Sequence, residues 1–199
     1  FNNRTNVNLD NLYIVFDVST IGAKNLLPIV MFIATDFVWS KVKEDRTQDK
    51  IVLLDEVWKL INTNDTVAEY VLELYKTIRG YGGGVVCATQ DLTDFTALKN
   101  GMYGNRILSN SSAKIIMKIQ SENLNEIRRV FSLTEDEFDS ILAMKKGQGI
   151  LISNQDNVMI NVMASEKEDR LITTDASKLR GYYGDSKQIE REQQRRIAG

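Results

Sequence analysis

The run Ile51-Val52-Leu53-Leu54-Asp55-Glu56 constrains this chain more than any other segment. Its four consecutive apolar residues read as a buried strand, and an acidic pair stands at the strand's end. Downstream, Gly84-Val85-Val86-Cys87-Ala88-Thr89-Gln90 repeats the design, an apolar run that closes on a polar residue. Buried strands of this kind belong to sheets whose faces are covered by helices.

The segments between them have helical spacing. Leu26, Ile29, Val30, Ile33, Phe37 and Val38 mark a helix to about Lys43, with Asn25 as its N-cap and Pro28 in the first turn, where the missing N–H costs nothing. Val67, Tyr70, Val71, Leu74 and Ile78 mark a second helix over 66–79, stopped by Gly80. Leu12 to Phe16 reads as a short strand closing at Asp17, and Lys114 to Ile119 as another. Thr134-Glu135-Asp136-Glu137 fits a capping box. Gly149–Ser153 and Val158–Met163 form a hairpin pattern. Strands alternating with helices over the first 120 residues give an α/β fold with a mostly parallel sheet, and the closing hairpin adds an antiparallel edge. Residues 1–184 read as the C-terminal part of one domain, and 185–199 as a polar tail, an exposed helix or a frayed end. In such sheets ligands bind at the carboxyl ends of strands, which sets Asp17, Asp55, Glu56 and Gln90 along one rim.

Composition narrows the chemistry. One Cys and 0 His argue against a zinc site and against any histidine-based triad, leaving carboxylates, amides, Lys, Arg and hydroxyls. Cys87 lies inside an apolar strand and reads as a small buried hydrophobe. Twenty-five basic against 27 acidic residues give no electrostatic case for nucleic-acid binding over the whole surface. No apolar run approaches the ~20 residues of a membrane span. Phe1 is not a start residue, so the chain is expected to be a piece of a longer protein in a soluble, reducing compartment.

A carboxylate at Asp55 suits magnesium, which takes one or two carboxylates beside phosphate oxygens. Glu56 points elsewhere and can face a water in line with a γ-phosphate, since phosphoryl transfer asks for positioning and charge neutralisation. Gln90 can report on the same phosphate. The plainer reading of each is a strand end meeting solvent, and spacing alone leaves both open. Arg79 before Gly80-Tyr81-Gly82-Gly83-Gly84 reads either as a cation at a helix C-terminus or as an arginine finger. The glycines precede a strand rather than opening a helix, so they are no phosphate cradle, and no Gly-Lys dipeptide occurs. Trp39 and Trp58 show no interleaving with basic residues.

Leu54-Asp55-Glu56-Val57-Trp58-Lys59-Leu60, Arg79 before the glycines, and Ala88-Thr89-Gln90-Asp91-Leu92 occur in that order. With Tyr13–Ser19, Leu133–Glu137, Lys146–Gly149 and Ala164–Glu166, they give the chain a resemblance over residues 7–180. It resembles the C-terminal motor domain of the large conjugative-transfer ATPases of type IV secretion systems. These belong to the HerA–FtsK branch of RecA-like P-loop motors. The resemblance implies a RecA-like three-layer sandwich. It implies ATP and Mg2+ as ligands, Asp55 as the magnesium aspartate through water, Glu56 as the catalytic base, Gln90 as the sensor and Arg79 as a residue acting near a subunit boundary. It further implies a ring, a hexamer in most such motors, working with secretion components at the inner face of the bacterial cell membrane.

The chain departs from that pattern by lacking the phosphate-binding loop, whose strand is central to the sheet. The piece alone is therefore expected to bind ATP weakly and to turn over essentially none. Two other readings stand beside the motor: a non-catalytic docking module of the secretion apparatus, and a DNA-translocating relative, against which the balanced charge counts.

Overall fold

The structure, a computed structural model, describes residues 11–18, 21, 26–63, 65–90, 92, 101–119, 124–153 and 156–184. Its elements in chain order are α1 (Leu27–Glu44), β1 (Lys50–Leu54), α2 (Val57–Thr63), α3 (Asp65–Thr77), a 3₁₀ turn (Ile78–Tyr81) and β2 (Gly83–Cys87). There follow α4 (Met102–Asn110), β3 (Ala113–Met117), α5 (Leu124–Phe131), α6 (Glu135–Ala143), the hairpin β4 (Gln148–Ser153) and β5 (Asp156–Asn161), α7 (Glu166–Ile172) and α8 (Ala176–Tyr183).

Strands β1 and β2 pair in parallel, with Lys50 opposite Gly83 and Leu54 opposite Cys87. Parallel pairing needs a long crossover, and α2, α3 and the 3₁₀ turn supply it. Strand β3 joins the hairpin instead. It runs antiparallel to β4, with Ile116 opposite Ile150, and β4 runs antiparallel to β5. Among the described residues the parallel and antiparallel parts are thus two separately hydrogen-bonded sheets.

Two cores follow. Val57, Ile61, Ala68, Val71, Leu72, Tyr103 and Ile107 form the first, with Leu54, Trp58, Tyr75 and Cys87 packed against it. Ile116, Ile127, Leu133, Ile141, Met144 and Ile150 form the second. Leu92 packs against both and bridges them. A smaller cluster of Val42, Leu74 and Ile78 ties α1 to α3, with Trp39 edge-on to Tyr70 and Tyr81.

Burial alternates along β1 and β2. Val52, Leu54, Val85 and Cys87 turn toward the helices, while Ile51, Leu53 and Val86 are 77%, 65% and 48% exposed. An uninterrupted apolar run suits a strand covered on both sides, and here one side is bare among the described residues.

Several local expectations change. Residues 11–18 form no strand, and Leu12 and Tyr13 are exposed. A strand requires a neighbouring strand to pair with, and none of the described strands pairs with this segment; Phe16 instead sets its ring edge-on to Phe37. Asp17 is therefore not a strand-end residue on the rim. The α1 N-cap is Leu26, with no side-chain cap, and Pro28 sits in the first turn; Asn25 lies outside the described residues. The stop after α3 falls at Gly82 rather than Gly80, because the last turn tightens to 3₁₀ and Gly82 takes φ +71°. A Cβ there would stand 2.9 Å from the Arg46 carbonyl oxygen, so only glycine fits without strain. The capping box at Thr134 is present, with Glu137 returning the bond to the Thr134 amide. Lys146-Gly147 is a turn, Gly147 adopting φ +88°. The tail 185–199 lies outside the described residues.

Candidate functional site

The acidic pair forms the turn that joins β1 to α2. Three backbone bonds fix that turn. The Ala88 amide donates to the Leu54 carbonyl at 2.9 Å, which prolongs the β1–β2 ladder past its last formal pair. The Val57 amide then donates to the Ala88 carbonyl at 3.3 Å. The Lys59 amide donates to the Glu56 carbonyl at 2.9 Å and starts the helix. Val57 itself is fully buried and anchors the turn in the first core.

Asp55, Glu56 and Ala88-Thr89-Gln90 therefore share the carboxyl edge of the parallel pair. Asp55 and Gln90 are exposed and Glu56 is half-buried. The Asp55 carboxylate accepts the Glu56 amide at 3.1 Å. Glu56 sits at φ +47°, left-handed backbone that a residue with a long side chain seldom adopts. Such conformations persist where the surroundings over-determine them, and they cluster at functional sites. The Glu56 side chain folds onto the next turn, where the Trp58 indole N–H donates to its Oε2 at 2.5 Å.

The donor set fits a magnesium ion carried with a nucleotide. One exposed carboxylate beside a second, on a strand end, supplies what magnesium takes from protein when phosphates and water complete its shell. Such an ion needs no cage of three or more protein ligands, and none occurs among the described residues.

Arg79 lies elsewhere. It belongs to the 3₁₀ turn that precedes β2, and its carbonyl accepts from Gly82, whose own carbonyl accepts from Lys50 at the start of β1. It is exposed at the amino edge of the strands. A five-residue strand separates that edge from the acidic pair, about 15 Å at ~3.3 Å per residue. Within one chain Asp55 and Glu56 follow β1, and Ala88-Thr89-Gln90 follows β2, at the carboxyl ends of the paired strands, whereas Arg79 stands at their amino ends.

Cys87 is half-buried on the helix side of β2, against the first core. Burial pushes its thiol up, which makes it a poor nucleophile. Burial likewise pushes up the Tyr75 hydroxyl that bonds to it. Trp58 enters the sequence reading as part of the Leu54–Leu60 motif and as a candidate for base stacking, but with no role beside Glu56. Its place two positions after a strand-end glutamate, on the first turn of a helix, was the available signal.

A family model described as TraG P-loop domain matches residues 1–194. The chain belongs to that family. Protein TraC of Escherichia coli is 29% identical over 116 residues, 57% of this chain and 13% of that protein. DNA import protein CedB of Sulfolobus acidocaldarius is 27% identical over 146 residues, 69% of this chain and 23% of that protein. Type IV secretion system protein CagE of Helicobacter pylori is 27% identical over 145 residues, 71% of this chain and 14% of that protein. The chain thus spans less than a quarter of the length of these relatives. Among solved structures, VirB4 of Thermoanaerobacter pseudethanolicus superposes with a TM-score of 0.67 at 23% identity, over 75% of this chain and 40% of that one. The fold is accordingly the RecA-like α/β fold, with a parallel part carrying the candidate site and an antiparallel part closing the domain.

Proposed function

We propose that this chain is the magnesium- and water-handling part of an ATP-hydrolysing motor domain that energises conjugative DNA transfer or type IV secretion. The bonds from Val57 and Ala88 carry the reading, because they bind the turn of the two acids to the residues that lead into Gln90. Asp55 holds Mg2+ through water. Glu56 takes the proton of the attacking water, and Gln90 senses the γ-phosphate by its amide. Magnesium bridges phosphate oxygens and offsets the charge that develops on them.

Arg79 serves a neighbouring subunit. Its place at the opposite edge of the strands from Glu56 supports that role, because a ring presents one subunit's far edge to the next subunit's site. The relatives named for type IV secretion and DNA import support work beside secretion components; in this reading the chain does that work as part of a ring, a hexamer, at the inner face of the cell membrane. No helix of the described residues is long and apolar enough to cross a membrane.

The phosphate-binding loop has no counterpart in these 199 residues. In this reading it comes from chain outside them, and its strand and helix cover Ile51, Leu53 and Val86. The same bare face favours a second reading, a non-catalytic module docked through it on other secretion components.

Magnesium dependence separates the two. In the full-length protein, Asp55→Asn is expected to raise the Mg2+ concentration needed for half-maximal ATP hydrolysis while leaving the protein folded. Full-length wild-type protein with no Mg2+-dependent hydrolysis would leave the docking reading in its place.

A further inference from the structure

We propose that Trp58 is a positioning residue for Glu56, holding one carboxylate oxygen so that the other faces the attacking water. The proposal rests on Glu56 being the base. Glutamate has three side-chain torsions, and one carried on exposed turn backbone samples many orientations. Here the backbone is pinned by Val57 and Lys59, and the carboxylate by the indole at 2.5 Å. The remaining freedom is rotation about a fixed Oε2, which leaves Oε1 as the proton acceptor.

The choice of side chain matters. The indole Nε1–H is a donor only, so it can bind the carboxylate but never compete with it for the water's proton. When the water's proton passes to Oε1, its oxygen bonds the γ-phosphorus and the bond to the β–γ bridging oxygen breaks. Throughout, Oε2 stays an acceptor and the indole bond persists. The ring itself is well held. It packs against the first core, and the Lys59 ammonium lies 5.3 Å from its centroid. Trp58 also sits one residue beyond Val57, whose amide is bonded to Ala88, so the same strand ending that carries Gln90 sets the position of the indole.

The full-length protein carrying Trp58→Phe, Glu56→Gln or Glu56→Ala tests this, with ATP hydrolysis, nucleotide affinity and thermal unfolding measured side by side. Phenylalanine keeps the apolar ring and removes the N–H. It is expected to lower kcat roughly ten- to hundredfold, as a displaced catalytic group does, with KM within about twofold and little change in Tm. Glu56→Ala is expected to move the Trp58 indole proton resonance upfield through loss of its acceptor, a readout independent of how well Trp58→Phe folds. An unmoved resonance overturns the proposal, as does a kcat that stays near wild type or a loss that tracks Tm and KM together. Hydrolysis that survives Glu56→Gln removes the base assignment and this proposal with it. Inactive Glu56→Gln beside fully active Trp58→Phe removes this proposal alone.

Discussion

The Val57 amide donates to the carbonyl oxygen of Ala88 at 3.3 Å, so the turn after one parallel strand is hydrogen-bonded to the residue just beyond the end of the other. Two segments more than thirty positions apart in the chain are thereby held as one edge. The proposed magnesium and water chemistry depends on that edge, since the acids follow one strand and the glutamine follows the other.

Gly82 closes the crossover that makes the parallel pairing possible. It holds φ +71°, and an added Cβ would stand 2.9 Å from a backbone oxygen of the Arg46 loop. Gly82→Ala is expected to destabilise the domain by about 1–3 kcal/mol, read as a lower denaturant midpoint with an unchanged slope. An alanine variant as stable as wild type would mean that the turn has another low-energy conformation.

Arg79 stands at the amino edge of the strands and Glu56 at the carboxyl edge. If each site is completed by a neighbour, Arg79→Ala and Glu56→Gln should both be inactive alone and should recover part of the activity when mixed and reassembled. Some interfaces in the mixture then join an intact Glu56 to an intact Arg79. No recovery, in assemblies shown to exchange subunits, would place Arg79 outside the reaction.

Leu53 is 65% exposed on the bare side of β1. If chain outside these residues covers that side in the full-length protein, Leu53→Ala there should cost about 2–5 kcal/mol, the cost of a buried leucine. A change within about 0.5 kcal/mol, the behaviour of a surface position, would show that the face stays open.

The parallel pair was legible because both of its strands are apolar runs with polar ends, and α3 because Val67, Val71, Leu74 and Ile78 keep one face. The capping box at Thr134 was legible for the same reason that it works: four residues carry all its bonds. Helix α2 was hidden by its shortness, although Val57 and Ile61, both buried, stand four apart. The segment at Leu12–Phe16 has strand composition, but composition supplies no neighbour to pair with. The true stop at Gly82 required knowing how close the Arg46 loop approaches. Of the candidate site, the acids and Gln90 could be named from their strand ends. The separation of Arg79 and the indole bond to Glu56 could not, because both depend on where the chain turns back in space.

The most direct test of the account is ATP binding and hydrolysis by the full-length protein carrying Glu56→Gln. The account predicts nucleotide affinity close to wild type and hydrolysis reduced to background. Hydrolysis at the wild-type rate in that variant would contradict it, because no shared edge of two acids and an amide would then be performing the reaction.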